Sequence, residues 1–352
     1  MKLRIGLIEL GDAWQTRHRP ALRMLHDRFD VRAVFSTVTK LAENSAGEFQ
    51  ADAMDGYRLL VARRDVDAVM ILGGSWLGWL PMLAACDAGK AIYWAGDLDF
   101  DSRGDTDVRG AIEASGVAFM TEFPRRLAPA TLRLKELIAT QLGPPRLVFC
   151  HLRMQQSAVC SRANNGDPAR RELVELIDWC RYVVGREPAS VSSSGHCTEP
   201  SPRPLQSTPR RSRSYNTRAA SPTPLDYRSL TLQFAATDLL PPVIAQISCG
   251  SYIPPDWHEA AGFRPPSGMQ IRCERGVAFI DLPANLVWFD DGGRHLESLE
   301  TELPVGEQLL TQFHRSVTSL VRNMSDLDDA YRAAAILAAA QQSDAEGQRI
   351  DL

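Results

Sequence analysis

Four apolar positions near the start of the chain, Leu3, Ile5, Leu7 and Ile8, lead into a turn at Gly11, and the stretch 14–25 then lacks Gly and carries Pro only at Pro20. A strand, a tight turn and a helix in that order open a dinucleotide-binding unit. The alternation continues. The run V-R-A-V-F-S at 31–36 reads as a strand, 41–49 and 57–64 as helices, and D-V-D-A-V-M-I-L-G-G at 65–74 as a buried strand closed by a glycine pair. A helix over 76–88, a strand over 91–94, a helix over 108–113 and a strand over 117–120 complete the series. Strands and helices alternating at this length predict a parallel, doubly wound, Rossmann-type sheet ending near Thr121.

The pattern then changes. A helix over 130–142, with Leu132, Leu134, Leu137 and Ile138 as its apolar stripe, precedes a strand over 146–154 and a helix that carries Glu175. Strand patterns follow at 229–234, 243–248, 269–274, 277–282 and 286–289, with no helix between them. Such a succession predicts an open, largely antiparallel sheet, followed by helices over 307–322 and 326–340. Two domains result, 1–121 and 122–352. Within the second, 196–224 is rich in Pro, Ser and Arg (Arg203, Arg210, Arg211, Arg213, Arg218) and has no core of its own. A cover over the cleft, an arm on a neighbouring subunit and plain disorder remain open readings of it.

Composition narrows the class. A chain of 352 residues, 44% hydrophobic, buries a sizeable core, and a net charge of -4 with pI near 6.0 argues against a nucleic-acid partner. Seven scattered cysteines without a C-x-x-C motif fit reduced thiols, residues 1–12 contain no signal h-region, and no apolar run reaches membrane-spanning length. A soluble cytoplasmic protein, with neither a membrane nor a nucleic-acid partner, is the expectation.

The candidate cofactor residues begin at the first turn: Gly11, Asp12, Ala13 and Trp14. A G-x-G-x-x-G fingerprint aligned on Gly11 puts Glu9 and Trp14 where small residues belong, and an acid there repels a phosphate. At the end of the second strand, where NAD-binding units hold a ribose-binding acid, stand Ser36 and Thr37. Lys40 then offers a contact for a 2′-phosphate, so that NADP fits this end better than NAD, although a polar loop with a surface lysine explains the same residues. Leu72, Gly73, Gly74 and Trp76 follow the buried strand, at an edge where open α/β sheets hold ligands.

The order of several motifs is more specific than any one of them. The glycine turn is followed by a helix with His18, then by D-A-V-M-I-L-G-G at 67–74, A-C-D-A-G-K at 85–90 and E-F-P-R-R-L-A-P-A-T at 122–131. L-I-D-W-C-R-Y-V-V-G at 176–185, E-R-G-V-A-F-I-D at 274–281 and the closing S-D-A-E-G-Q-R-I-D-L complete the order. Across nearly its whole length the chain resembles the Gfo/Idh/MocA family of sugar and cyclitol oxidoreductases. The resemblance implies an NAD or NADP cofactor, a sugar-like small molecule as substrate, homo-oligomers formed through the second sheet, and final helices that pack back on the first domain. It also implies a Glu-Lys-Pro motif whose lysine moves the proton together with a histidine from a later helix. Counting along the chain, that motif falls on Ala95, Gly96 and Asp97, the histidine on Glu175, a Thr-Pro pair on Gly73 and Gly74, and a downstream His on Gly78, while Asp178 is kept.

Ala95 thus joins the cofactor candidates, and the family reaction is expected to be slow or absent. Glu175 and Asp178, three apart on one helical face, read either as a replacement acid/base pair or as a surface carboxylate and a packing residue. A non-catalytic ligand-binding or assembly protein is the rival reading, and lyase or hydrolase chemistry run by that pair is a third. The D-L-D-F-D-S-R-G-D run at 97–105 lacks the Gly and Glu of a calcium loop, with Ser102 and Val108 in their places, so no metal is expected there. Trp76 and Trp79 serve either a ligand pocket or a helix core. Arg125 and Arg126 suit a substrate contact or an interdomain ion pair.

Overall fold

In strand β1 (Leu3–Ile8), Leu3, Ile5 and Leu7 point to one face of a sheet and Ile8 to the other, and all four are fully buried. A strand buried on both faces belongs in the middle of a parallel sheet. The computed structural model places it there. Residues 2–73, 77–96, 108–155, 168–197, 226–253, 259, 268–318 and 325–352 are described.

A π-helical turn, Trp14–His18, follows β1 and runs into α1 (Arg19–Met24). The helix expected over 14–25 is widened at its start because the N–H groups of Arg17 and His18 both donate to Ala13 O, at 2.9 and 3.2 Å. Then come β2 (Phe29–Phe35), α2 (Thr39–Phe49), β3 (Asp52–Ala53), α3 (Tyr57–Val61), β4 (Ala68–Ile71), α4 (Leu80–Asp87), β5 (Ala91–Trp94), α5 (Val108–Ser115) and β6 (Phe119–Thr121). The strands form one parallel sheet in the order β3-β2-β1-β4-β5-β6, whose switch point lies between β1 and β4.

Beyond the crossover stand α6 (Pro129–Leu137), a second π-helical turn (Ile138–Leu142), β7 (Pro145–Gln155), α7 (Pro168–Val184), β8 (Ser190–Cys197), β9 (Asp226–Phe234) and β10 (Val243–Ile253). The strands β11 (Met269–Cys273), β12 (Val277–Asp281), β13 (Asn285–Asp290) and β14 (Gly293–Ser298) precede α8 (Val305–Thr318), α9 (Ser325–Glu346) and β15 (Ile350–Asp351). Among the described residues, nine strands order as β14-β13-β12-β11-β7-β10-β9-β8-β15. Only β7 and β10 run parallel in it; the other pairs are antiparallel. The two-residue strands β3 and β15, and the longer β8 and β14, had no apolar pattern to announce them. β8 reads S-V-S-S-S-G-H-C and β14 reads G-R-H-L-E-S, and each is held mainly by its neighbours' ladder bonds. The D-L-D-F-D run and nearly all of 196–224 lie outside the described residues.

Helices α6, α7 and α9 pack on one face of this second sheet around Trp179, Leu134, Ile177 and Ile247, with Trp179 Nε1 donating to Thr131 Oγ1 at 3.0 Å. α8 instead inserts Leu309, Leu310 and Phe313 into the core of the first sheet beside Ile5, Met70 and Tyr93. Phe313 is fully buried and meets Tyr93 edge-on, with ring centroids 5.4 Å apart. Truncating Phe313→Ala is therefore expected to cost about 3–5 kcal/mol, read by urea unfolding. A loss below ~1 kcal/mol would mean that α8 is not part of the first core.

Candidate functional site

The crossover, residues 122–128, carries three charged side chains that set the geometry of the space between the sheets. Glu122, next after β6, is buried, and three groups converge on it. Arg17 forms an ion pair with Oε1, while His18 Nε2 and Tyr93 OH donate to Oε2 at 2.7 and 2.9 Å. Burial alone pushes this carboxyl up. The His18 and Arg17 charges and the Tyr93 hydroxyl outweigh burial and hold it down at about 2. The same burial, and the neighbouring carboxylate, raise the Tyr93 hydroxyl well above its usual range. Among the described residues, His18 Nδ1 has no hydrogen-bond partner.

Arg125 and Arg126 point the other way, onto α7. One stripe of that helix presents Arg171, Glu172, Glu175, Asp178 and Arg181, spaced by three or four residues. Arg125 pairs with Glu175 and, at 2.6 Å, with Glu172. Arg126 grips Asp178 bidentately through Nε and Nη2, and its Nη1 donates to Asp329 of α9 at 2.6 Å, while its guanidinium carbon lies over the rings of Phe123 and Tyr182. Arg181 adds contacts to Asp178 at 3.2 Å and Glu187 at 2.7 Å.

A cavity of about 860 Å³ opens between the β1 turn, the crossover, the stripe of α7 and the turns after β12 and β14. Asp12 and Ala13 line one side and Arg125, Arg171, Glu172 and Glu175 another. The two sequence candidates for acid/base work therefore part company. Glu175 reaches the cavity wall, where burial raises its carboxyl above the ordinary range against the pull of Arg125 and with the push of Glu172. Asp178 is consumed by Arg126 and Arg181 and does not line the cavity.

Among the cofactor candidates, Gly11, Leu72 and Gly73 meet at the switch point. A Cβ on Gly11 would stand 2.1 Å from Leu72 O, and one on Gly73 would stand 3.0 Å from Gly11 Cα, so both turns need glycine to approach. Ser36 and Thr37 meet Glu9, whose carboxylate accepts the Thr37 N–H at 2.8 Å and both hydroxyls at 3.3 Å. Lys40 is exposed on the first turn of α2. Trp14 turns inward, 2% exposed against Phe49, so only its backbone faces the turn. Gly74 and Trp76 lie outside the described residues.

At the end of β5 the expected lysine position, Gly96, is crowded by an indole: a Cβ there would lie 2.5 Å from the Trp94 ring. Trp94 stacks on Trp79, centroids 5.1 Å apart, which assigns Trp79 to packing at this strand end. Arg171 Nη2 donates to Ala95 O at 3.2 Å and its Nε lies 3.5 Å from Glu175. Sequence reasoning passed over Arg171, Glu172 and Arg17. Arg171 stands four residues before Glu175, one helical turn, and that spacing was the available signal.

No family model matches the chain. It is 28% identical over 192 residues to inositol 2-dehydrogenase of Cereibacter sphaeroides, covering 53% of this chain and 55% of that protein. It is 31% identical over 192 residues to inositol 2-dehydrogenase/D-chiro-inositol 3-dehydrogenase of Shouchella clausii, covering 53% and 54%. The chain thus spans about half the length of the curated relatives it matches. Levoglucosan dehydrogenase, solved with NADH and levoglucosan, superposes with a TM-score of 0.77 at 17% identity, over 100% of this chain and 99% of its own.

The chain has the Gfo/Idh/MocA oxidoreductase fold. On that Gfo/Idh/MocA scaffold the buried Glu122 is the anchor of the cavity wall, because the same carboxylate fixes Arg17 at the wall, the π-turn and β5. Its pKa lies below that of the unfolded chain, so its stabilisation is present above about pH 5 and fades as pH falls toward 2. The stability difference between wild type and Glu122→Gln, measured by urea unfolding, is expected to be largest near neutral pH and to shrink along that acid limb. A difference that does not change with pH would show that the folded state does not hold Glu122 ionised.

Proposed function

We propose that this protein carries out NAD(P)-dependent oxidation or reduction at a carbinol of a sugar or polyol-like substrate, with hydride transfer slowed by the absence of the family's lysine and histidine. The observation that carries the reading is that Glu175 and Arg171 share a cavity of sugar-accommodating size with the Asp12–Ala13 turn, while Arg171 also bonds the end of β5 through Ala95 O. The dinucleotide fits the strand ends. Gly11 and Gly73 leave the switch point free of side chains, so that Gly11, Asp12 and Ala13 would face the pyrophosphate, and Leu72, Gly73 and Ala95 the nicotinamide half. Ser36 and Thr37 stand at the adenosine end.

When bound, the nicotinamide supplies the hydride chemistry. The chain supplies the rest. Glu175 is the group at the cavity wall that would take the hydroxyl proton, and burial raises its pKa in the direction that strengthens a base. Arg125 holds that carboxylate in place, and Arg171 fixes the α7 side of the cavity to the end of β5. Leu282, Pro283 and Leu299 close the far wall with apolar surface. The reading includes a homo-oligomer formed on the open face of the second sheet, where Leu147, Ile244 and Phe289 remain exposed.

Two observations favour a second reading, a ligand-binding protein that keeps the fold without the reaction. The Trp94 indole occupies the space above Gly96, and Glu175 is engaged by Arg125.

The two readings separate in a screen of inositols and aldoses that follows the absorbance of the reduced nicotinamide. Glu175→Gln is expected to lower kcat about 100-fold or more with little change in KM. It is also expected to flatten the acid limb along which the wild-type rate rises as Glu175 loses its proton. A protein that binds the dinucleotide and turns over no carbinol would establish the second reading instead.

A further inference from the structure

We propose that Glu9 reads the adenosine ribose of the cofactor and selects NAD(H) over NADP(H), supplying from the end of β1 the acid that the end of β2 lacks. The inference rests on the dinucleotide-dependent reading above. Three observations support it.

The first is position. The Glu9 N–H donates to Phe35 O, the last residue of β2, at 2.9 Å, and its carboxylate is fixed over the next two residues by the hydrogen bonds from Ser36 and Thr37. The negative charge therefore sits at the carboxyl end of β2, where open α/β sheets bind the ribose, although it arrives from the neighbouring strand. Neither Ser36 nor Thr37 reveals this in the sequence. The second is backbone conformation. Glu9 has φ +53°, a left-handed geometry that glycine adopts without strain and other residues avoid. A long acidic side chain is kept at a position whose backbone favours having none.

The third is the electrostatic balance. A carboxylate offers about four acceptor sites, and the groups on Ser36 and Thr37 supply three donors, which leaves room for a ribose hydroxyl. Glu9 is partly exposed, and among the described residues no cation pairs with it. A 2′-phosphate would set a second negative charge against a fixed first one. Lys40, exposed three residues beyond Thr37, is a flexible point charge, and a carboxylate held by the strand-end turn outweighs it. At a water-exposed distance of a few ångströms such repulsion amounts to roughly tenfold in affinity.

Calorimetric titration of the full chain with NAD+ and with NADP+ tests this. Wild type is expected to bind NAD+ about tenfold or more tightly than NADP+. Glu9→Gln and Glu9→Gly are each expected to bring the two affinities close together, weakening NAD+ and strengthening NADP+. The Gly variant relaxes the backbone, so a loss of NAD+ affinity there does not come from strain. Equal affinities in wild type, or tighter NADP+, would overturn the inference while leaving the dinucleotide reading intact. So would a preference that survives in both variants as both ligands weaken together, since Glu9 would then only hold the turn. Failure of wild type to bind either dinucleotide would overturn the inference and the reading beneath it together.

Discussion

One buried carboxylate, Glu122, sets the distances on which the cavity depends. It gathers Arg17 and His18 from the turn after β1 and Tyr93 from β5, three groups from two strands' ends, onto the first residue of the crossover. A buried charge is tolerable only when it is fully paired, so the position of the crossover is fixed by the need to satisfy it. Arg125 and Arg126 then project from a fixed point, and α7 is held by two adjacent arginines that grip different carboxylates. The cleft between the sheets is therefore bounded on both sides by one electrostatic chain. Apolar packing of α8 on the first core seals that chain from behind.

Much of this architecture was legible in the sequence, and the reason is periodicity. The buried strands β4 and β5 carry uninterrupted apolar runs, β1 an apolar series broken only by Arg4 and Gly6, and α7 repeats its apolar positions at helical spacing, so element type followed directly. β8 and β14 escaped because their composition is mostly polar: β14 is largely exposed and β8 buries only its Ser190–Val191 end, so ladder bonds carry most of their pairing. The widened turn at Trp14–His18 escaped because a one-residue expansion of a helix leaves no mark in the hydrophobic pattern.

Site residues divided along a different line. Glu175 and Asp178 look equivalent on a helical face, and their difference arises only from which crossover arginine each one meets. Glu9 and Ser36 lie far apart in the chain and become one hydrogen-bonded unit only because β1 and β2 are adjacent in the sheet. Charged contacts between strand ends depend on sheet order, and sheet order is a tertiary property. A sequence read by periodicity alone therefore recovers the elements and misses the pairings.

The end of β5 is coupled to α7 through a few specific contacts. With glycine at 96, the Trp94 ring settles over the backbone and stacks on Trp79, and the strand end closes with an aromatic pair. Arg171 then reaches from α7 to Ala95 O and brings a cation to the same strand end from the opposite side of the cleft. That cation stays beside Glu175, so charge and carboxylate lie together on one helix. Replacing Gly96 alone would drive a side chain into the Trp94 ring without moving Arg171 or freeing Glu175 from Arg125. Trp94, Gly96, Arg171 and Glu175 thus form one packed arrangement, and each constrains what the others can be.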